Sequence, residues 1–286
     1  MLIFMVFLLF GFFYTMRSES DGISGFGDKV AIINLFGVIE SSSDIVRQLD
    51  KWSHDGRVKA IVMHIDSPGG GVAASQEIYE KILKVRKESK KPVVADMASV
   101  CASGGYYVAC AADRLVANPG TITGSIGVIF EWPVAEKMLD KVGLKFETIK
   151  SGKRKDVGSP WREATDLDKT MLQSVVDDTY EQFVDVLVTN RNLSRDDVLA
   201  MADGSIFSGK QAQEKGLVDS LGTFDDAVDL AGELAGIGKN PDRIREIPRR
   251  RATLFDLIGN LLKLDVGSLL GGESQVVYPK LQYIFK

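Results

Sequence analysis

Histidine and cysteine are nearly absent from this chain of 286 residues, which has two of each. Two cysteines, Cys101 and Cys110, cannot supply a disulfide framework. A helix running from Ser103 would also separate them by more than two turns, so both read as small buried side chains. With only His54 and His64 present, the usual base for an activated serine or threonine has few places to sit. The net charge of −4 lacks the basic excess of nucleic-acid binders and argues against nucleic acid as a partner. There is no internal repeat of useful period and no Walker or dinucleotide fingerprint. What remains, 45% apolar and 26% charged residues, is the composition of an ordinary globular protein with room for a full core.

The first sixteen residues, MLIFMVFLLFGFFYTM, lack any charge. As a helix they would reach ~24 Å at ~1.5 Å per residue, short of a ~30 Å hydrocarbon core. They have neither the basic n-region nor the small-x-small site of a cleaved signal peptide. They are apolar all round, unlike an amphipathic core helix. An uncleaved membrane anchor over 1–16 is therefore expected, followed by a flexible Ser/Gly/Asp-rich tether over 17–28. Charge does not orient the anchor, because Glu19 and Asp21 follow Arg17.

Alternating elements follow. Val30–Glu40 and Val58–Gly71 read as buried strands, the second ending in Pro-Gly-Gly-Gly, and Pro92–Val100 as a third. Between them lie Ser41–Asp55, with an N-cap serine and a helical period, and the amphipathic helix Ala74–Lys90. A short helix should open at Ser103, and strand and loop should follow over Asp113–Phe130. Lys145–Gly152 reads as strand-like, and Asp166–Asn192 as a long helix with an aspartate N-cap. Near-continuous apolar strands alternating with helices indicate an α/β domain with parallel pairing, expected over 29–237. Residues 238–286 form a tail with a basic run (Asn240–Arg251) and an amphipathic stretch (Leu254–Leu264). Such a pair either lies on a membrane surface or docks on its own protein.

Chemistry centres on Ala98–Asp113, ASVCASGGYYVACAAD, in which Ser103 stands between a small-residue run and two glycines. A serine hydroxyl needs a neighbouring base. His64 lies two residues before Asp66 on one strand face, so a Ser103–His64–Asp66 triad is conceivable, though base and orienting acid rarely fit side by side on one strand. Lysine substitutes when burial or neighbouring cations leave its amine neutral near pH 7, and IKSGKRKDVGSP offers Lys150, Lys153 and Lys155. By composition alone that stretch is a charged surface loop. DSPGGG (Asp66–Gly71) and the amide of Gly104 supply donors for a developing oxyanion. Gly-rich strand ends can equally cradle a phosphate.

DSPGGG, ASGGYYVACAAD (Ala102–Asp113), TGSIGVI (Thr123–Ile129), KSGKRKD (Lys150–Asp156) and GSIFSGKQAQEKGLVD (Gly204–Asp219) occur in that order. Together they resemble the signal peptide peptidase A family of membrane-bound serine peptidases, over about Val30 to Gly236. The resemblance implies the Clp protease/crotonase-like layered α/β fold with parallel strands and an enclosed oligomer. It also implies a Ser/Lys dyad with Ser103 as nucleophile and Lys155 as general base. Ser125 would hold the lysine amine, and Gly70 and Gly104 would form the oxyanion hole. No cofactor or metal is called for. The implied substrates are apolar peptides such as signal-peptide remnants, and the implied location is the cell membrane, single-pass, with the catalytic domain outside the cytoplasm. The chain's length resembles the short, single-copy members, which form homo-oligomeric rings whose serine and lysine can come from neighbouring protomers. Three other readings share parts of this pattern. They are a crotonase-like acyl-CoA enzyme, a membrane scaffold whose Ser103 merely caps a helix, and a related peptidase acting on whole membrane proteins.

Overall fold

A computed structural model of the chain describes residues 27–246 and 280–284. The expected anchor, most of the tether and the amphipathic stretch of the tail lie outside the described residues. Among the described residues no helix is long and apolar enough to cross a membrane.

The main sheet is built from β1 (Lys29–Phe36), β2 (Val58–Ser67), β4 (Val93–Ala102), β5 (Arg114–Ala117), β9 (Ser220–Leu221) and β10 (Asp242–Arg245), in the order β10-β1-β2-β4-β5-β9. Every neighbouring pair along this path is parallel. Beyond the stretch that pairs with β5, the end of β4 pairs with β6 (Ile122–Gly124), and β8 (Ile206–Ser208) adds antiparallel to β6.

The strands are apolar on both faces because both faces are covered. Ala31, Ile33 and Leu35 of β1 and Ile61, Met63 and Ile65 of β2 face one core. That core is shared with α1 (Ser43–His54), α2 (Val72–Ser89), α3 (Gly104–Ala109) and the long α5 (Asp166–Arg191). Val30, Ile32, Ala60, Val62 and Val94 face the other core, covered by α8 (Phe224–Leu234). Full burial of each valine, leucine, isoleucine or methionine among them stabilises the fold by ~1.5–3 kcal/mol. Of the smaller helices, α4 (Glu136–Lys141) precedes α5, while α6 (Arg195–Leu199) and α7 (Gly209–Glu214) follow it.

A second, antiparallel sheet stands at the carboxyl end of the main strands. In it β3 (Gly69–Gly71) and β7 (Ile129–Glu131) flank β11 (Lys280–Ile284).

The structure departs from the sequence expectations at three places. Lys145–Gly152 forms no strand. Phe146 instead stacks on Trp161 with centroids 4.5 Å apart and Ile149 is fully exposed; β propensity without a neighbouring edge does not make a strand. The cap of α5 is Thr165, in a reciprocal capping box with Asp168, not an aspartate. Finally, the segment read as a tail contributes β10 and β11. Glu246 pairs with Arg47 of α1 at 2.8 Å and Arg243 with Asp225 at 2.7 Å, so the first part of the basic run docks on its own protein.

Candidate active site

Ser103 occupies the sharp turn between β4 and α3, with φ 52° and ψ −117°. A non-glycine residue at positive φ is strained and is held only where its surroundings enforce it. Here Ser103 donates its N–H to the Gly124 carbonyl and accepts from the Tyr107 N–H, both at 2.8 Å. Although it stands at the N-cap of α3, its side chain makes no capping bond. Its Oγ is buried and has no hydrogen-bond partner, and the residue is 1% exposed. A serine serving as a helix cap would give its oxygen to an amide of the first turn; this hydroxyl makes no such bond.

The two glycines after Ser103 have different duties. Gly104 opens α3, so its amide is among those the helical ladder leaves unpaired. A Cβ on Gly105 would stand 2.8 Å from the Ser67 carbonyl oxygen, which makes this glycine the condition for packing α3 on β2. Tyr106, fully buried, fixes the helix by donating its hydroxyl to the Leu217 carbonyl at 2.8 Å.

TGSIG places Ser125 beside this turn. Ala102 of β4 pairs with Gly124 of β6, so Ser103 and Ser125 each lie one residue beyond a register pair. Ser125 also has positive φ (50°), is 9% exposed, and donates its N–H to Ser205 at 2.8 Å. Gly124, at φ 83°, faces the Phe207 ring, which a Cβ would approach to 2.7 Å.

Gly70 lies at the middle of β3. Ile39 N–H donates to the Gly69 carbonyl and Gly71 N–H to the Ile39 carbonyl, each at 2.8 Å. A residue's N–H and C=O share one edge of a strand, so those of Gly70 point away from Ile39, toward β11. A Cβ on Gly70 would overlap the Ile39 backbone. The glycine is thus required by the close approach of Ile39. Ser67 ties the bend together, donating to Gly37 O at 2.6 Å and accepting from Gly69 N at 3.1 Å. Since β3 packs against α3, the amides of Gly70 and Gly104 belong to neighbouring elements at one end of the sheet.

The three lysines of the 150–155 loop fare differently. Lys150 pairs with Asp156 at 2.6 Å. Arg162 grips Asp156 at 2.8 Å and Asp168 at 2.6 Å, fastening the loop to the start of α5. Bonds from Arg162 and then Lys150 hold the Asp156 carboxyl well below the usual carboxylate range. Arg162, followed by the Thr165 amide, holds Asp168 at about 2. Lys153 and Lys155 are exposed and take no part in these ion pairs. Within one chain Lys155 does not bond Ser103, whose Oγ has no partner.

The histidine triad does not form. His64 and Asp96 stand opposite each other on β2 and β4, and Nδ1 of His64 bonds the Asp96 carboxylate. His64 lies edge-on to Phe36 and to Phe224 of α8, on the α8 side of the sheet. Asp66 instead accepts the Val100 N–H at 3.0 Å. Asp96, Arg162 and Asp168 escaped the sequence reading because their roles depend on strand register and loop closure. Cys101 and Cys110 are free and buried, and burial pushes the Cys110 thiol up to about 12, so neither is a thiolate nucleophile near neutral pH.

Comparison with known proteins shows the family. Residues 85–238 match the model of peptidase family S49, and residues 27–120 match that of Clp protease. A candidate protease of Synechocystis sp. is 42% identical over 249 residues, covering 87% of this chain and 85% of the relative. A candidate protease of Methanocaldococcus jannaschii is 36% identical over 81% of this chain and 74% of its own. A candidate signal peptide peptidase SppA of Enterococcus faecium is 37% identical over 65% of this chain and 54% of its own. With its parallel-rich α/β sheet and a serine strained at the end of a central strand, the chain belongs to peptidase family S49, the signal peptide peptidase A family, and is a serine peptidase.

Proposed function

We propose that the chain is a membrane-anchored endopeptidase that cleaves apolar peptides, signal-peptide remnants among them, with Ser103 as nucleophile and Lys155 as general base. The observation that carries the serine's role is its hydroxyl, buried in a strained turn and bonded to nothing. Lys155, as the base, takes the Ser103 proton as Oγ bonds to the peptide carbonyl carbon, and the carbonyl electrons move onto oxygen. The amides of Gly70 and Gly104 hold that oxyanion. Collapse breaks the C–N bond, Lys155 returns the proton to the leaving amine, and an acyl ester remains on Ser103. Water then attacks the ester, giving one proton to Lys155, which passes it to Ser103 as the acid leaves. Ser125 accepts or donates at the lysine amine and orients it.

The dyad is completed between copies in a homo-oligomeric ring. In support, Lys155 is carried on an exposed loop, and the surrounding segment exposes Val134, Met138, Val142, Phe146 and Ile149. Exposed apolar clusters of this kind are commonly covered by a partner.

The test is hydrolysis of a fluorogenic peptide with an apolar residue before the scissile bond, by wild type, Ser103→Ala, Lys155→Ala and His64→Ala. Loss of at least ~10³-fold in the first two variants, with His64→Ala retained, supports the dyad. Full activity in Lys155→Ala overturns it. Mixing Ser103→Ala with Lys155→Ala should restore activity if neighbouring copies share a site.

A further inference from the structure

The loop that carries Lys155 is shaped by its own turns. Lys155 donates its N–H to the Gly152 carbonyl at 3.1 Å, Val157 to Arg154 at 3.2 Å and Ser159 to Asp156 at 3.1 Å, so the backbone closes one turn after another. Of residues 151–160 only Gly158 is buried, so the stretch brings no fully buried side chain to the core. Turns of this kind set a shape without setting a place, and a segment with few buried contacts opens at little cost.

Its place is set by Arg162. The guanidinium gives Nε–H to Oδ2 of Asp156 at 2.9 Å and a terminal N–H to Oδ1 at 2.8 Å, a fork on the carboxylate of the residue that follows Lys155. The same terminal nitrogen reaches the Asp156 carbonyl at 3.3 Å. The other donates to Asp168 at 2.6 Å and to the Glu163 carbonyl at 2.9 Å. Asp168 is 2% exposed and closes the capping box of α5 by accepting the Thr165 N–H at 3.0 Å. Further along, α5 buries Phe183 and Leu187 in the main core. A continuous line therefore runs from the core through α5, Asp168, Arg162 and Asp156 to the backbone of Lys155. Lys150 also bonds Asp156, at 2.6 Å, but it stands at the start of the same loop, so that bond does not tie the loop to α5.

We infer that Arg162 is a positioning residue of the peptidase reaction, acting through Asp156 to set where the loop presents Lys155 to the serine. The inference rests on the proposed Ser103–Lys155 dyad. A lysine amine rides on a long flexible stem and is delivered only as accurately as its backbone is placed. Misplacing a catalytic group by ~1 Å costs ~10²-fold in rate. In this scheme Arg162 takes no proton and meets no reacting atom, so its whole effect passes through Lys155. A lysine in its place would keep the charge and lose the planar fork that spans Asp156 and Asp168 together.

The test measures kcat and KM for the fluorogenic apolar peptide, per folded molecule and at equal assembled mass. The variants are Arg162→Met, Arg162→Lys, Asp156→Asn, the Arg162→Met/Asp156→Asn double, and Arg162→Met in the Lys155→Ala background. Arg162→Met and Asp156→Asn should each lower kcat ~10–100-fold with KM within ~3-fold of wild type. Arg162→Lys should stay at least ~5-fold below wild type. The Arg162→Met/Asp156→Asn double should fall no lower than the less active of its two single variants, since both cut one line. In the Lys155→Ala background Arg162→Met should change the residual rate less than ~2-fold. A merely structural arginine would lower Tm and leave kcat per folded molecule at the wild-type value, and that result overturns the inference while the dyad stands. An equal fall in the Lys155→Ala background also overturns it, because Arg162 would then act by another route. Full activity in Lys155→Ala overturns the dyad and the inference with it. Should Arg162→Met fail to fold, Arg162→Lys and Asp156→Asn carry the same comparison.

Discussion

Ser103 hangs its backbone N–H on the Gly124 carbonyl at 2.8 Å, and that one bond ties its turn to the turn that carries Ser125. Both serines sit at positive φ, so neither turn is relaxed, and each depends on the other's strand. Ser125→Ala should therefore lower kcat ~10–100-fold with KM changed less than ~3-fold, since it disturbs the orientation of the proposed base and not the binding of the peptide. Steady-state kinetics checks this. An equal rise in KM would place Ser125 in substrate binding instead.

Gly70→Ala is the sharpest steric test. Its methyl group would overlap the Ile39 backbone, so β3 must shift away from its bridge. Displacing one oxyanion donor costs ~10²–10³-fold in kcat in other hydrolases, and a loss of that size is expected here together with a lower Tm. Gly104→Ala is expected to be milder for stability, and comparing the two by kinetics and calorimetry separates packing from amide donation.

His64→Ala should damage the fold and spare the chemistry. Asp96 is 1% exposed, and one of its oxygens already lacks a partner. Removing His64 leaves the carboxylate further unsatisfied, at a cost of ~1–3 kcal/mol. Urea unfolding should show that loss while kcat/KM per folded molecule stays within ~10-fold of wild type. An inactive but equally stable variant would return histidine to the mechanism.

The lysine loop should loosen in acid. Asp156 and Asp168 both titrate in the folded protein below the ~3.9 of an unperturbed aspartate, Asp168 at about 2. A depressed carboxyl stabilises fully above its unfolded value, and that contribution fades as pH falls from about 4 toward 2. Trp161, stacked on Phe146 beside this clamp, reports on it. In a background lacking Trp52 and Trp132, its emission should be constant from pH 5 to 8 and change between about pH 4 and 2. Arg162→Met should produce the acid spectrum at pH 7.

The main sheet was legible because β1, β2 and β4 are buried on both faces and announce themselves as apolar runs. The sharp turn at Ser103 was marked by the two glycines that follow it, whereas the choice of Gly70 and Ser125 came from the resemblance, and the roles of all three are proposals. The pairing of His64 with Asp96 was not, because it depends on which strands become neighbours. The Lys145–Gly152 strand failed for want of an edge to pair with among the described residues. β11 was hidden for the opposite reason: PKLQYIFK has no strong pattern, and its strand exists because two open edges await it.

The measurement closest to the central claim is acylation of the protein by an activated peptide ester, followed by intact mass and peptide mapping. Wild type and His64→Ala should carry one acyl group on Ser103, formed at least ~100-fold faster than in Lys155→Ala and absent from Ser103→Ala. Acylation of Lys155→Ala at the wild-type rate, or an adduct at any residue other than Ser103, would contradict the account.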